Sequence, residues 1–133
     1  MTPYNHIDRS KSSRIRPLDP AFPIDRQIGL EASPVVLINL FTLDVADEPK
    51  FLELWQDDAA FMKRQPGFIS TQLHRALGEN PTYFNYAVWE SNAHFRAAFV
   101  HPEFRAKTSV YPSSAIASPH LFQKVAVAGI CVA

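Results

Sequence analysis

From Pro34 onward the chain alternates between runs that suit strands and stripes that suit helices. Val35 to Leu43 (VVLINLFTL) is rich in β-branched and large apolar residues and predicts a strand. Asp47-Glu48-Pro49 then opens a helix: Asp47 offers an acceptor to the first free N–H groups, and proline is tolerated in a first turn. Phe51, Leu54, Trp55, Ala59 and Met62 recur at helical spacing until Pro66-Gly67 ends the pattern. Phe68 to Leu77 predicts a second strand, Gly78-Glu79-Asn80-Pro81 a turn, and Tyr83 to Glu90 a third strand. Ser91 can cap a short helix carrying Phe95, Ala98 and Phe99; His101-Pro102 interrupts it, and Pro102 starts another turn through Phe104. Tyr111 to Pro119 reads as a Ser/Pro loop, and Leu121 to Val132 as a fourth strand. The order β-α-β-β-α-β predicts an α+β fold of the ferredoxin-like kind, a four-stranded antiparallel sheet with both helices on one face.

A sheet whose second face meets water should alternate apolar with polar. This one does not. On the first strand Val35, Leu37 and Phe41 share one side, and Val36, Ile38 and Leu40 share the other. On the third, Phe84, Tyr86 and Val88 lie opposite Asn85 and Trp89, and Ile69 and Leu73 extend the apolar face on the second. So large a bare apolar face predicts a homodimer in which two sheets pack face to face.

Residues 1–33 break the pattern. They hold Pro3, Pro17, Pro20 and Pro23 and no sustained period, so they predict an extended or partly disordered arm ahead of one domain at 34–133. Ile24, Ile28 and Leu30 could dock such an arm on a partner subunit. The 133 residues carry 13 basic and 13 acidic side chains, a balance that leaves no electrostatic footprint for nucleic acid or an anionic membrane. The single cysteine, Cys131, suits a reducing compartment, and no secretory leader or bilayer-spanning run is visible, so a cytoplasmic location is expected. The four glycines are too dispersed for a dinucleotide or phosphate loop. His101, Glu103 and His120 spell two histidines and a carboxylate, but Pro102 separates the first pair and no metal is expected.

The candidate chemistry lies on strands. Asn85 and Trp89 are four residues apart and share a face, and Asn39 has the parity of Val35, Leu37 and Phe41. If that parity looks toward the helices, two amides and an indole enter one space. Buried amides require partners, and a pair of them suggests a polar-lined cavity.

Pro66-Gly67-Phe68, Leu73-His74-Arg75, FNYAVWES at 84–91 and HPEFRA at 101–106 together resemble the antibiotic-biosynthesis monooxygenase family, over about Pro34 to Val127. The best-marked element is Asn-x-x-x-Trp-Glu-Ser at Asn85 to Ser91. The resemblance implies a dimeric α+β barrel. For members from aromatic polyketide pathways it implies oxidation of an anthrone, phenol or quinol to a quinone, with O2 as co-substrate and no cofactor. It assigns Asn85 and Trp89 to the site, with Asn39 as a second amide and His74 as candidate base. Tyr83, Phe95, Phe99 and Arg105 are the expected contacts to a small aromatic substrate. Phe95 stands where the actinorhodin-pathway type carries a tyrosine, so that phenol donor is missing. A haem-degrading branch shares Asn39, but its tryptophan and haem-ligating histidine fall on Ala98 and Thr108. Isomerases, decarboxylases, cyclases and small-molecule binders on the same barrel are the alternatives.

Overall fold

A computed structural model describes residues 14–133. It contains a short helix α1 (Ile24–Gln27), strand β1 (Val35–Thr42), a 3-10 turn (Val45–Asp47), helix α2 (Glu48–Lys63), strands β2 (Phe68–Arg75) and β3 (Thr82–Trp89), helices α3 (Asn92–Phe99) and α4 (Pro102–Thr108), and strand β4 (Ile116–Phe122). The strands form one antiparallel sheet in the order β2-β3-β1-β4. The first helix crossover leaves a gap between β1 and β2 that β3 fills, which is the ferredoxin-like arrangement. Among the described residues no helix is long and apolar enough to cross a membrane.

The helix-side face of the sheet holds two cores. Near one end Val35, Leu37, Ala87, Trp89 and Leu121 pack with Ile24 of α1 and Phe95 and Ala98 of α3. Near the other Phe41 and Tyr83 pack with Phe51 of α2, Tyr111 and Ala115. Asn39 falls between Leu37 and Phe41 along β1, and Asn85 between Tyr83 and Ala87 along β3. The two amides are direct register partners across the β1–β3 ladder, so a polar belt separates the cores.

The helix ends show which local rules held. Ser91 caps α3 by accepting the His94 N–H at 3.2 Å. Asp47 occupies the N-cap position of α2 but makes no side-chain cap bond; its carboxylate accepts from the Ser114 hydroxyl at 2.6 Å instead. Gly67, in the turn before β2, adopts φ +83°, and a Cβ there would lie 2.2 Å from Cγ of His94, whose ring is held by Ser91. Gly67→Ala combines left-handed strain with overpacking and should lower stability by about 2–3 kcal/mol, read from urea unfolding. An unchanged midpoint would mean that the turn and ring relax freely.

Two expectations need correction. The fourth strand is Ile116–Phe122, not Leu121 to Val132. It pairs with β1 alone among the four strands, and an edge strand tolerates Pro119 because one row of its backbone groups has no strand partner. The apolar stretch after it is exposed and makes one isolated bridge, Val127 to Cys131, around Gly129 at φ +78°. Secondly, Leu73 lies opposite Asn85 and packs on the helix-side core, not on the open face. The cause is an irregularity between Phe68 and Ser70: Ile69 is the extra residue, and every later β2 side chain switches sides.

Residues 14–33 also contact the rest of this chain. Ile15 bridges Ala117, the Arg14 guanidinium donates to the Tyr111 carbonyl at 2.9 Å, and Ile24 is buried. The Gln27 amide brackets the Leu121 backbone, accepting its N–H at 2.8 Å and donating to its carbonyl at 3.0 Å. Buried Asn92 donates to the carbonyls of Gln27 and Leu30, although Leu30 itself is exposed. The expectation for residues 1–13 lies outside the described residues.

Candidate functional site

Between the two cores a hollow opens over the polar belt. The sheet lines it with Leu37, Asn39, Phe41, Phe68, Thr71, Asn85, Ala87 and Trp89; α2 supplies Trp55, Asp58, Ala59 and Met62, and α4 supplies Phe104. Its volume is about 50 Å³. A single water needs about 10–15 Å³ on this scale, so the hollow holds a few small molecules as it stands.

The hydrogen bonds orient its polar groups. Thr71 lies diagonally across the β2–β3 ladder from Asn85, and its hydroxyl donates to Asn85 Oδ1 at 2.5 Å. With that oxygen engaged, the Asn85 amide N–H groups are left for another acceptor. Asn39 Oδ1 is buried without a partner among the described residues, and so is Asp58 Oδ1. Buried polar atoms usually find a partner, so a guest carrying a donor would be stabilised at either atom.

Asp58 is the group that sequence reasoning missed. It is 8% exposed, and its Oδ2 accepts from the Tyr111 hydroxyl at 3.0 Å. Burial raises its pKa to about 7, against the opposing pull of the Tyr111 hydrogen bond and the Lys107 charge. Burial, with the neighbouring Asp58 charge, raises the Tyr111 phenol so that it stays a donor. The signal was in the helical stripe: Phe51, Trp55, Asp58 and Met62 recur at three and four residues, so a carboxylate occupies a core position.

Of the residues singled out from the sequence, Asn39, Asn85 and Trp89 come together on the hollow. Trp89 is 1% exposed, with Phe68 and Phe95 edge-on to it at 5.4 and 5.8 Å. Phe95 therefore backs the indole and does not line the space, and Phe99 stacks behind Phe95 at 5.2 Å. Tyr83 is buried in the second core, where its hydroxyl donates to the Glu48 carboxylate. Arg105 is exposed on α4. None of these four substrate-contact candidates lines the hollow.

His74 is on the wrong side for a base in this hollow. It pairs with Phe84 on the open face and stacks on that ring at 4.3 Å, with the planes 1° apart. Without the extra residue at Ile69, His74 would share the side of Phe68 and point under the helices; the bulge turns it outward. Among the described residues no three His, Cys, Asp or Glu side chains gather as metal ligands. Ala98 is buried in the first core, and the Thr108 hydroxyl bonds to the Arg105 carbonyl; neither side chain can ligate a haem iron.

Comparison with known proteins gives the same family as the motifs. A deoxynogalonate monooxygenase from Streptomyces nogalater is 36% identical over 76 residues, which span 57% of this chain and 64% of the relative. The chain thus matches somewhat less than two thirds of that protein's length. The crystal structure of SnoaB, described as a cofactor-independent oxygenase from the same organism, superposes with a TM-score of 0.64 at 29% identity, covering 74% of this chain and 99% of SnoaB. A conserved protein from Methanosarcina mazei, 8% identical, matches with a TM-score of 0.64 over 70% of this chain and 94% of its own, which speaks for the fold alone. The sequence profile of the antibiotic biosynthesis monooxygenases matches residues 34–107, more than half of the chain. This chain therefore belongs to the antibiotic biosynthesis monooxygenase family.

Proposed function

We infer that the chain is a monooxygenase that oxidises an electron-rich aromatic, of anthrone, phenol or quinol type, toward a quinone, with O2 as co-substrate and no bound cofactor. The observation that carries this reading is the pair of facing carboxamides, Asn39 and Asn85, between two apolar cores and beside a buried indole and carboxyl. A neutral aromatic reacts slowly with triplet O2, whereas its anion can give up one electron. The protein then has to favour the anion, hold it and keep water away. Asn85, its oxygen engaged by Thr71, donates to the developing oxyanion, and Trp89 forms the wall against which the ring lies. Ligand pockets usually exceed about 300 Å³, so on this reading O2 and the reacting edge occupy the hollow and the remaining rings require it to widen.

Oxygen uptake with a panel of anthrones and hydroquinones, on protein free of metal and flavin, tests the reading. Uptake with quinone formation is expected. Product without oxygen consumption would instead indicate an isomerase, decarboxylase or cyclase, and binding without product would indicate a carrier.

In the same reading the working unit is a homodimer in the cytoplasm. The open face of the sheet carries Val36, Ile38, Leu40, Phe84 and Val88, with Tyr86 and Phe122 still 38% and 41% exposed. A second copy supplies a matching apolar sheet, and a stable interface needs about 800 Å² from each partner. Light scattering at micromolar concentration should give twice the chain mass; a stable monomer would refute the dimer.

A further inference from the structure

Among the polar side chains around the hollow only one is a carboxyl. Asn39, Asn85 and Thr71 enter from the sheet, and Asp58 from α2. Asp58 is more than nine-tenths buried, and its two oxygens are treated differently. Oδ2 accepts from the Tyr111 hydroxyl at 3.0 Å, while Oδ1 is buried with no partner among the described residues. An unmatched buried acceptor is destabilising, so Oδ1 would be stabilised by a donor brought into the hollow. Asp58 lines the hollow with one oxygen held by Tyr111 and the other unpaired, an arrangement that suits an oriented base. Tyr111 is itself fixed, 8% exposed and edge-on to Phe51 at 5.7 Å.

We propose that Asp58 is the catalytic base of this site, taking the substrate's proton on its free Oδ1, and that Tyr111 is the positioning residue that aims it. The steps after this proton transfer rest on the oxygenase reading. With an anthrone methylene, the Asp58 carboxylate takes one proton, the C–H bond breaks, and its electron pair stays on the substrate as the anion. The anion passes one electron to O2, and the two radicals join through a C–O bond to give a peroxide anion. Protonated Asp58 returns its proton to that anion. Loss of water then breaks the O–O bond and the second C–H bond. The balance is CH2 + O2 → C=O + H2O, and Asp58 ends as the carboxylate it began as.

The surroundings suit a base working near neutrality. From α4 the Lys107 ammonium lowers the Asp58 pKa, and from the loop before β4 the Tyr111 hydroxyl does so more strongly. From α2 itself Asp57 raises it, though Asp57 is paired with Lys107 at 2.8 Å. The sheet residues facing Asp58 carry no charge. Burial outweighs these effects, and a base is most effective when its pKa lies near the working pH.

The test separates proton removal from oxygenation. 1,8-Dihydroxyanthrone is incubated with the full chain in D2O under nitrogen, and wash-in of deuterium at its methylene is followed by NMR against an enzyme-free blank. The wild type should accelerate exchange, with a rate that rises through an inflection near the Asp58 pKa of about 7. Asp58→Asn, verified as folded by circular dichroism, should lose about 100-fold of the enzyme-dependent rate and the inflection with it. Tyr111→Phe should keep most of the rate but move the inflection upward, because the hydrogen bond that favours the carboxylate is gone. Wild-type exchange by Asp58→Asn, or no exchange above the blank by the wild type, would overturn the proposal. Oxygen uptake is measured separately on the same proteins. Exchange without uptake would sink the oxygenase reading and leave Asp58 its role; uptake with undiminished exchange in Asp58→Asn would do the reverse.

Discussion

Asp58→Asn should make the protein more stable than wild type above neutral pH, by about 4 kcal/mol at the plateau. The folded-state pKa of Asp58 is raised from 3.8 to about 7, so the native state holds this proton more tightly than the unfolded chain does. The protonated carboxyl therefore gives its full stability below the unfolded value. That stability falls away as pH rises through the folded value, at about 1.4 kcal/mol per pH unit. Asparagine mimics the protonated acid, accepts from Tyr111 in the same way and has no charge to bury. Urea unfolding at about pH 5 and about pH 8 reads the difference: the wild type should lose about 3 kcal/mol over that interval and the variant little of it. This window avoids Glu48, whose carboxylate is held below the usual carboxylate range by hydrogen bonds from Arg75 and Tyr83 and so acts at lower pH. Equal losses in the two proteins would show that Asp58 is ionised throughout. A stabilising change at a site of chemistry is expected, since buried charge kept for function is a burden on the fold.

Asn85→Ala should lower turnover by about tenfold to a thousandfold with little change in stability. The reason is orientation. The Thr71 hydroxyl holds the Asn85 oxygen, so the amide donors are aimed before the substrate arrives and need no reorganisation when charge develops. The loss should appear in kcat more than in KM, because the donor matters most to the transition state. Thr71→Val frees the amide to rotate and should reproduce part of the loss. Initial rates from an oxygen electrode over a range of substrate concentrations separate the two constants. Wild-type kcat in Asn85→Ala would remove the carboxamide from the reaction.

The sequence disclosed the sheet well where its side chains obey parity. β1 and β3 are uninterrupted, so the sides of Asn39, Asn85 and Trp89 follow from counting, and the register makes the two amides neighbours. β2 contains one extra residue at Ile69, which leaves no composition signature, and counting through it puts Leu73 outside and His74 inside. β4 was displaced for another reason. Its segment IASPHLF looks like a loop because of Ser118 and Pro119, and the more apolar KVAVAGICVA beyond it looks like a strand but remains exposed. Which segment pairs is decided by β1, whose residues Val36 to Thr42 meet Phe122 to Ile116 in antiparallel register. Asp58 is legible as well: a charged residue at a core position of an otherwise apolar stripe is its informative member.

The first core has a consequence for how the protein is shortened. The family match begins at residue 34, yet Ile24 supplies part of the packing over Leu37, Trp89 and Leu121, and Gln27 grips β4 from outside. A chain begun at residue 34 would keep every motif by which the family is known. It would also uncover one flank of that core and leave the buried Asn92 side chain without its two carbonyl acceptors. Similarity and cooperative folding thus have different limits in this molecule, and expression of the minimal matching segment is expected to give aggregated material.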